Sequence, residues 1–152
     1  MDSAYVAERP RRVEQVMLRD MITAPLGATL SEAEDLVRFA RLRHLVVVED
    51  GVVVGLVSHR DLLEAHLAQL RDGLGTASDE SVRTTIIDNL VRSGPATIAP
   101  DALLEEAANR MLALRIGCLP VTTPSLSGPQ LVGIVTEAAL LRAAYGPGPS
   151  RT

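Results

Sequence analysis

The chain contains two copies of one sequence pattern, and this internal repeat constrains its fold more than any other feature. Residues 23–47 align without gaps with residues 97–121, and residues 55–65 align with residues 133–143. Between these blocks the second copy is four residues longer, because residues 124–130 are expected to form a longer hairpin loop. Because one copy is too small to bury much apolar surface alone, we expect the two copies to share a core.

Each copy predicts the same order of elements: an extended segment, a helix, two strands and a second helix. Apolar residues at helical spacing indicate the first helix, and β-branched runs on either side of Glu49–Gly51 indicate a hairpin. The second helix is expected to begin at Ser58 in one copy and at Thr136 in the other. The sequence therefore predicts an α/β protein of two pseudo-symmetric βαββα units that pack through their sheets.

The repeat also sets the expected boundaries of the units. We assign residues 13–71 to the first unit and residues 84–144 to the second, with a Gly-containing polar segment between them. Residues 81–91 are expected to be helical and to lead into the second unit. The termini, residues 1–12 and 146–152, are expected to be disordered.

Composition argues against several classes of function. The net charge of −4 and an aromatic content of 2% disfavour a protein that binds nucleic acid by phosphate contacts or base stacking. The N-terminus lacks the apolar core of a signal peptide, and the apolar runs are too short to span a membrane. Since Cys118 is the one cysteine, no internal disulfide can form, and we expect a cytoplasmic protein.

No sequence pattern predicts catalysis or a metal site. Three histidines and one cysteine show no metal-ligand spacing, and no P-loop or Rossmann glycine pattern is present. The run Ser58-His59-Arg60-Asp61 contains the residue types of a hydrolase triad, but adjacent side chains on a helix diverge by about 100°. We therefore expect a protein that is not an enzyme and that requires no cofactor.

The same run has two other interpretations. Ser58 as N-cap and Asp61 at the third helical position form a loosened capping box, which stabilises a helix start. The free backbone N–H groups at that helix start also suit a phosphate, and Asp61 can accept two hydrogen bonds from the vicinal hydroxyls of a ribose. Gly55 would let another group approach the strand closely. The constellation therefore also suits a nucleotide.

The ordered motifs of both copies resemble the CBS domain, a family whose members occur as tandem pairs called Bateman modules. The resemblance rests on the ordered pattern T-x-x-P/x-x-x-L-x-E-A, then L-P/V-V-V, then G-h-V-S/T-x-x-D-L, and it covers residues 13–144. It implies two clefts between the units that bind adenosine compounds such as AMP, ADP, ATP or S-adenosylmethionine. It also implies a homodimer with a regulatory role and a regulated protein as partner.

By this resemblance, each cleft takes residues from both units. The first cleft would combine polar and basic residues of one unit with small and apolar residues of the other: Ser58, Arg60, Asp61, Arg43 and His44, facing Thr97, Ala102, Ile116, Gly117 and Cys118. Simpler interpretations stay open, since Arg43 and His44 also suit a solvated helix end. Cys118 likewise suits a core, and Thr97 suits a strand.

The second cleft departs from the family pattern, because Ala139 stands where the aspartate is expected and Gly117 and Cys118 replace the basic pair. Its other members would be Thr23, Ala28, Leu42 and Thr136. Without the ribose acceptor and the phosphate cations, we expect weak or no nucleotide binding there. The chain should then bind about one nucleotide rather than two.

Two functions stay open at this point. One is a sensor that binds an adenosine compound and signals through its dimer or through a partner protein. The other is a structural or interaction module that dimerises and binds no nucleotide. For either function, we expect dimerisation through helix faces that carry Leu63, Leu67, Leu70 and Leu112.

Overall fold

The structure is a computed structural model that describes residues 8–72 and 85–146. Its strands and helices, in chain order, are β1 (Thr23–Pro25), α1 (Leu30–Ala40), β2 (His44–Glu49), β3 (Val52–Ser58), α2 (His59–Asp72), β4 (Arg92–Ser93), α3 (Leu104–Leu114), β5 (Cys118–Ser125), β6 (Gly128–Thr136) and α4 (Glu137–Tyr145). The predicted α/β class with two related copies is confirmed by this order. In the second copy a single bridging residue, Ile98, takes the place of the first strand.

The described residues form two compact units whose boundaries differ from the division predicted from sequence. The first unit contains residues 20–72, 85–96 and 124–131, and the second contains residues 8–19, 97–123 and 132–146. Each unit therefore includes a segment that precedes the other copy in the chain. Of the termini predicted to be disordered, residues 1–7 and 147–152 lie outside the described residues. Residues 11 and 12 differ from that prediction, because Arg12 bridges antiparallel to Leu103 and the Arg11 carbonyl accepts from the Leu104 N–H at 2.8 Å.

The first unit is built on a sheet centred on β2 and β3. Strand β1 runs parallel to β2, and β2 runs antiparallel to β3 with His44 opposite Ser58. Strand β4 pairs antiparallel with β3, and Gln130 of β6 pairs with Val52. Buried apolar side chains of α1, α2 and the sheet form one core, which includes Leu30, Ala33, Val37, Leu45, Val57 and Leu62.

The second unit repeats this plan with its own residues. Ile98 bridges to Val121 in parallel, as Ala24 of β1 pairs with Val47 of β2. Leu18 bridges antiparallel to Ile134, as Arg92 of β4 pairs with Leu56 of β3. Its buried apolar side chains include Val13, Ile98, Ala107, Met111, Leu119, Val121 and Val135.

The hairpin between β5 and β6 differs from the sequence prediction of a long loop at residues 124–130. Strand β5 extends to Ser125 and β6 begins at Gly128, so a tight turn replaces most of that loop. The Ser125 hydroxyl donates to the Gly128 carbonyl at 2.6 Å, and Gly128 adopts a φ of 126° that suits glycine. Leu131 donates its N–H to the Gly51 carbonyl at 3.0 Å, which places this tip in the first unit.

The segments before the two copies are exchanged between the units. Ile87 donates its N–H to the Ala28 carbonyl of the first copy, and Val13 donates its N–H to the Ala102 carbonyl of the second, each at 2.9 Å. Both side chains are fully buried in these positions. The predicted helix at residues 81–91 is wrong for its described part, where a 3₁₀ turn covers Ile87–Leu90. Its β-branched residues disfavour a helix, and its backbone instead bonds to the first copy.

Candidate functional site

The β3–α2 corner, defined as residues 55–61, brings two predicted site residues together. Strand β3 ends at Ser58, and the Ser58 hydroxyl oxygen accepts a hydrogen bond from the Asp61 N–H at 2.9 Å. The predicted N-cap role of Ser58 is therefore confirmed. The His59 N–H donates to the Arg43 carbonyl at 2.7 Å, which fixes the start of α2 against the start of β2. These bonds hold the Asp61 side chain at the first turn of α2.

The Asp61 carboxylate does not complete a reciprocal capping box. Its Oδ1 lies 3.5 Å from Nη2 of Arg92. Its Oδ2 is buried and has no hydrogen-bond partner among the described residues. A buried carboxylate oxygen without a donor is costly, so it calls for a ligand or a solvent donor. Vicinal hydroxyls are donors of the right kind for this atom.

Arg92 belongs to this corner, although it was not among the residues predicted for the site. It lies in β4 opposite Leu56, and its side chain is 79% exposed. The reason for Gly55 is visible here, because a Cβ at that position would lie 2.7 Å from the Arg92 carbonyl oxygen. Gly55 thus admits β4, a segment of the same chain, against β3. In the second unit the aligned residue is Leu18, which bridges β6 in the same way, but this pairing is not visible in the sequence.

Arg43 and His44 are placed differently from each other. His44 is half-buried at the start of β2 and pairs in register with Ser58. Arg43 is exposed and lines a cavity of about 570 Å³ between α1 and α2. The lining of that cavity includes His59, but neither Ser58 nor Asp61. The cavity that Arg43 lines is therefore separate from the Asp61 carboxylate.

Arg60, which was predicted for the first cleft, lies in solvent and pairs with a neighbour on its own helix. Its Nε lies 3.4 Å from Oε1 of Glu64, one helical turn further along α2. The Arg60 side chain is 86% exposed and that of Glu64 is 66% exposed. An exposed pair at this spacing contributes at most a few tenths of a kcal/mol.

The β6–α4 corner, residues 133–139, has the same backbone and different chemistry. The Thr136 hydroxyl oxygen accepts from the Ala139 N–H at 3.2 Å, and the Glu137 N–H donates to the Gly117 carbonyl at 3.0 Å. Ala139 is buried, so no carboxylate faces the corner at that position. A Cβ on Gly117 would lie 3.5 Å from the Glu137 carboxyl carbon, so an acidic group lies beside the glycine. This corner is poorly suited to a phosphate.

Cys118, which follows that glycine, is a buried free thiol. Burial, and then the nearby Glu137 carboxylate, raise the pKa of the thiol to about 11. The side chain is therefore neutral at physiological pH and packs as a small apolar group. This placement agrees with the simpler interpretation of Cys118 as a core residue.

Other residues predicted for the first cleft take part in the backbone of the second unit. Ile116 donates its N–H to the Met111 carbonyl at 3.1 Å, and Ala102 accepts through its carbonyl from Val13. The Thr97 carbonyl accepts from the Arg110 guanidinium. Side chains of all three residues are half-buried. That they face Ser58 and Asp61 across a cleft stays a prediction.

The residues predicted for the second cleft in the first unit are tied to its core. Ala28 is buried in the apolar cluster, and Leu42 packs against that cluster. Leu42 also lines the cavity beside Arg43. Thr23 is half-buried and pairs with Val46 across β1 and β2. A role for these residues in a second cleft stays a prediction.

Two further findings concern the described residues as a whole. Within residues 8–72 and 85–146, no helix combines the length and apolar character needed to cross a bilayer. In the same residues, no group of three or more histidine, cysteine, aspartate or glutamate side chains could hold a metal ion.

Comparison with known proteins places both copies in one family. The family model of the CBS domain matches residues 13–68 and 87–146. Inosine-5'-monophosphate dehydrogenase of Korarchaeum cryptofilum is 27% identical over 135 residues, which are 89% of this chain and 25% of that enzyme. The chain thus spans about a quarter of the length of this relative, and the match does not indicate a catalytic domain in this chain.

Solved structures show the same fold over most of the chain. A protein assigned to acetoin utilization (AcuB) from Vibrio cholerae is 30% identical, with a TM-score of 0.69 over 88% of this chain and 89% of that one. CBSX2, crystallised in complex with AMP, is 25% identical, with a TM-score of 0.70 over 89% of this chain and 96% of that one.

Proposed function

Since the chain belongs to the CBS domain family through both of its sequence copies, we propose that it is a regulatory module that binds one adenosine compound at the β3–α2 corner. The observation that carries the proposal is the buried Asp61 Oδ2, which has no hydrogen-bond donor among the described residues. A ribose supplies two adjacent hydroxyl donors, and a carboxylate accepts both of them. The complex of the related CBSX2 with AMP supports this class of ligand.

The charges of the β3–α2 and β6–α4 corners differ, which supports the binding of one nucleotide per chain rather than two. The first corner has a carboxylate at Asp61 and a cation at Arg92. The second has a buried methyl group at Ala139 and an acidic group, Glu137, beside Gly117. A nucleotide phosphate near Glu137 would meet a like charge, whereas the first corner offers an opposite one. The proposed ligands are AMP, ADP, ATP or S-adenosylmethionine, with AMP favoured.

A second candidate function is a dimerising module without a nucleotide. The observation in its favour is the exposure of Leu63, Leu67 and Leu70 on α2, at 53%, 45% and 46%, and of Leu112 on α3, at 78%. Apolar side chains repeated along one helix suit a partner surface. A homodimer through these side chains is compatible with either function and forms part of the proposal. Regulation of a partner protein in the cytoplasm is likewise proposed.

The test is thermal unfolding and calorimetric titration with AMP, ADP, ATP and S-adenosylmethionine. A ligand at 100 times its Kd adds about 2.7 kcal/mol to the free energy of unfolding, which raises Tm by roughly 5–10 °C for a chain of this size. Loss of two hydrogen bonds to a charged acceptor costs about 3 kcal/mol or more, so Asp61→Ala should weaken binding at least a hundredfold.

Controls separate binding from folding in this test. Asp35→Ala removes an equal charge from an exposed site on α1 and should leave affinity unchanged. Without ligand, the free energy of unfolding of Asp61→Ala should lie within about 1 kcal/mol of the wild-type value, because the variant loses only a weak ion pair and an unpaired oxygen. Absence of binding by every compound, together with a dimer in sedimentation, would favour the second candidate function. Mass spectrometry of a copurifying small molecule would identify the ligand directly.

A further inference from the structure

The ion pair between Asp61 and Arg92 has no counterpart in the second unit. Arg92 aligns with Leu18 and Asp61 aligns with Ala139, so an apolar pair replaces both charges there. The backbone at the two places is nevertheless alike. Leu18 bridges to Ile134 as Arg92 pairs with Leu56. The charge pair is therefore a feature of one corner and is not required by the fold.

The backbone of Arg92 is held by strand pairing, whereas its guanidinium is exposed to solvent. Strand β4 pairs with β3 and lies directly against Gly55, which positions the Arg92 backbone. The side chain is 79% exposed, and its Nη2 lies 3.5 Å from Asp61 Oδ1. An exposed pair at this distance is weak, because water competes for both groups. The guanidinium can leave the carboxylate at little cost when another anion is offered.

Other basic side chains near the corner have different surroundings. Arg60 pairs with Glu64 in solvent. Arg43 lines the cavity between α1 and α2, whose lining does not include Asp61. Among the described residues, Arg92 is the one whose guanidinium lies within ion-pair distance of the Asp61 carboxylate. An anionic ligand that approaches Asp61 would be repelled unless a cation stood beside it.

We propose that Arg92 is the residue that makes the β3–α2 corner select a ribose ligand carrying an anionic group over its neutral nucleoside. This inference rests on the proposed function. When ribose hydroxyls bind Asp61, they replace Arg92 as the donors to that carboxylate. The released guanidinium then faces the phosphate of the same ligand, for which its planar set of donors is suited. Asp61 recognises the sugar, and Arg92 recognises the charge.

The experiment compares AMP and adenosine by calorimetric titration of the wild type, Arg92→Leu and Arg92→Lys. Leucine is chosen because Leu18 occupies the aligned position in the second unit. We expect Arg92→Leu to weaken AMP about tenfold and adenosine less than twofold, since only the charge-assisted contact is lost. Lysine should restore part of the AMP preference. Arg71→Leu, an equal charge change at an exposed position on α2, should leave both affinities unchanged.

The outcomes separate this inference from the proposal on which it rests. If the wild type binds AMP but Arg92→Leu changes AMP and adenosine by the same factor, the role of Arg92 is refuted and the proposed function stands. If Arg92→Leu tightens both ligands, Arg92 merely competes for Asp61, and the inference again fails. If the wild type binds no adenosine compound, the proposed function fails and the inference falls with it. Unfolding curves without ligand check that each variant is folded.

Discussion

A methyl group added at Gly55 tests whether β4 lies as close to β3 as the structure places it. In Gly55→Ala the new Cβ would lie 2.7 Å from the Arg92 carbonyl oxygen, and it would also meet the Val91 side chain. The obstacle is backbone, so β4 must move or the sheet must deform. Overpacking of this kind costs about 1–3 kcal/mol. The φ of Gly55 is not left-handed, so alanine can adopt this backbone conformation. Alanine also lowers the conformational entropy of the unfolded chain, which stabilises the fold by about 0.4–1 kcal/mol and leaves a net loss of roughly 1–2 kcal/mol.

Gly133 is the matched control, because it holds the same place in the second unit. A Cβ there would lie 2.6 Å from Sδ of Met17, a flexible side chain, and 3.1 Å from the Leu18 carbonyl oxygen. The methionine can rotate away, so Gly133→Ala should cost less than about 1 kcal/mol. Urea unfolding followed by circular dichroism gives both free energies of unfolding. Thermal unfolding should show a drop in Tm of about 2–4 °C per kcal/mol.

The ordering of the two variants decides the matter. Gly55→Ala should be the less stable of the two by about 1 kcal/mol. If Gly133→Ala is equally or more destabilised, or if Gly55→Ala is as stable as the wild type, the close approach of Arg92 to Gly55 is wrong. In that case β4 would not hold Arg92 beside Asp61 either.

Three further predictions concern the core, the helix cap and the thiol. Leu62→Ala should cost about 2–5 kcal/mol in urea unfolding because Leu62 is fully buried, whereas Leu141→Ala, at a side chain 60% exposed, should cost under about 0.5 kcal/mol. Ser58→Ala should lose about 1 kcal/mol without ligand and Ser58→Thr should keep most of it; equal losses would contradict the cap. The pKa of Cys118 is raised in the fold to about 11, so its stabilising effect is complete below the unfolded pKa and is lost as the pH rises toward the folded pKa. Stability should thus fall more steeply between about pH 9 and 11 in the wild type than in Cys118→Ala, and parallel profiles would refute it.

Much of the fold followed from local signals in the sequence. Helical spacing of apolar residues and the turn at Glu49–Gly51 predicted α1, β2 and β3, and the repeat carried the same plan into the second copy. The Ser58 cap was predictable because a capping hydroxyl acts on the backbone three residues away. Such short-range interactions depend only on residues that are close in the sequence, so a single sequence is enough to predict them.

Pairings between distant residues were the part that the sequence did not reveal. Strand β4 has only two residues, and its partner β3 lies more than thirty residues earlier, so no periodicity marks it. Arg92 was missed for this reason, although its contact with Asp61 depends on that pairing. The hairpin at Ser125 and Gly128 was predicted as a longer loop because its prolines disfavour strands, yet β5 and β6 extend through Pro124 and Pro129.

The exchange of the segments around Val13 and Ile87 has a consequence for how this chain can be divided. Cutting the chain between the sequence repeats would leave each half without the segment that completes its own unit. A half ending before residue 85 would lose the buried Ile87, and a half beginning after residue 19 would lose the buried Val13. Either half would regain a complete core only if a second molecule supplied the missing segment. We therefore expect each repeat to be less stable alone than in the linked pair.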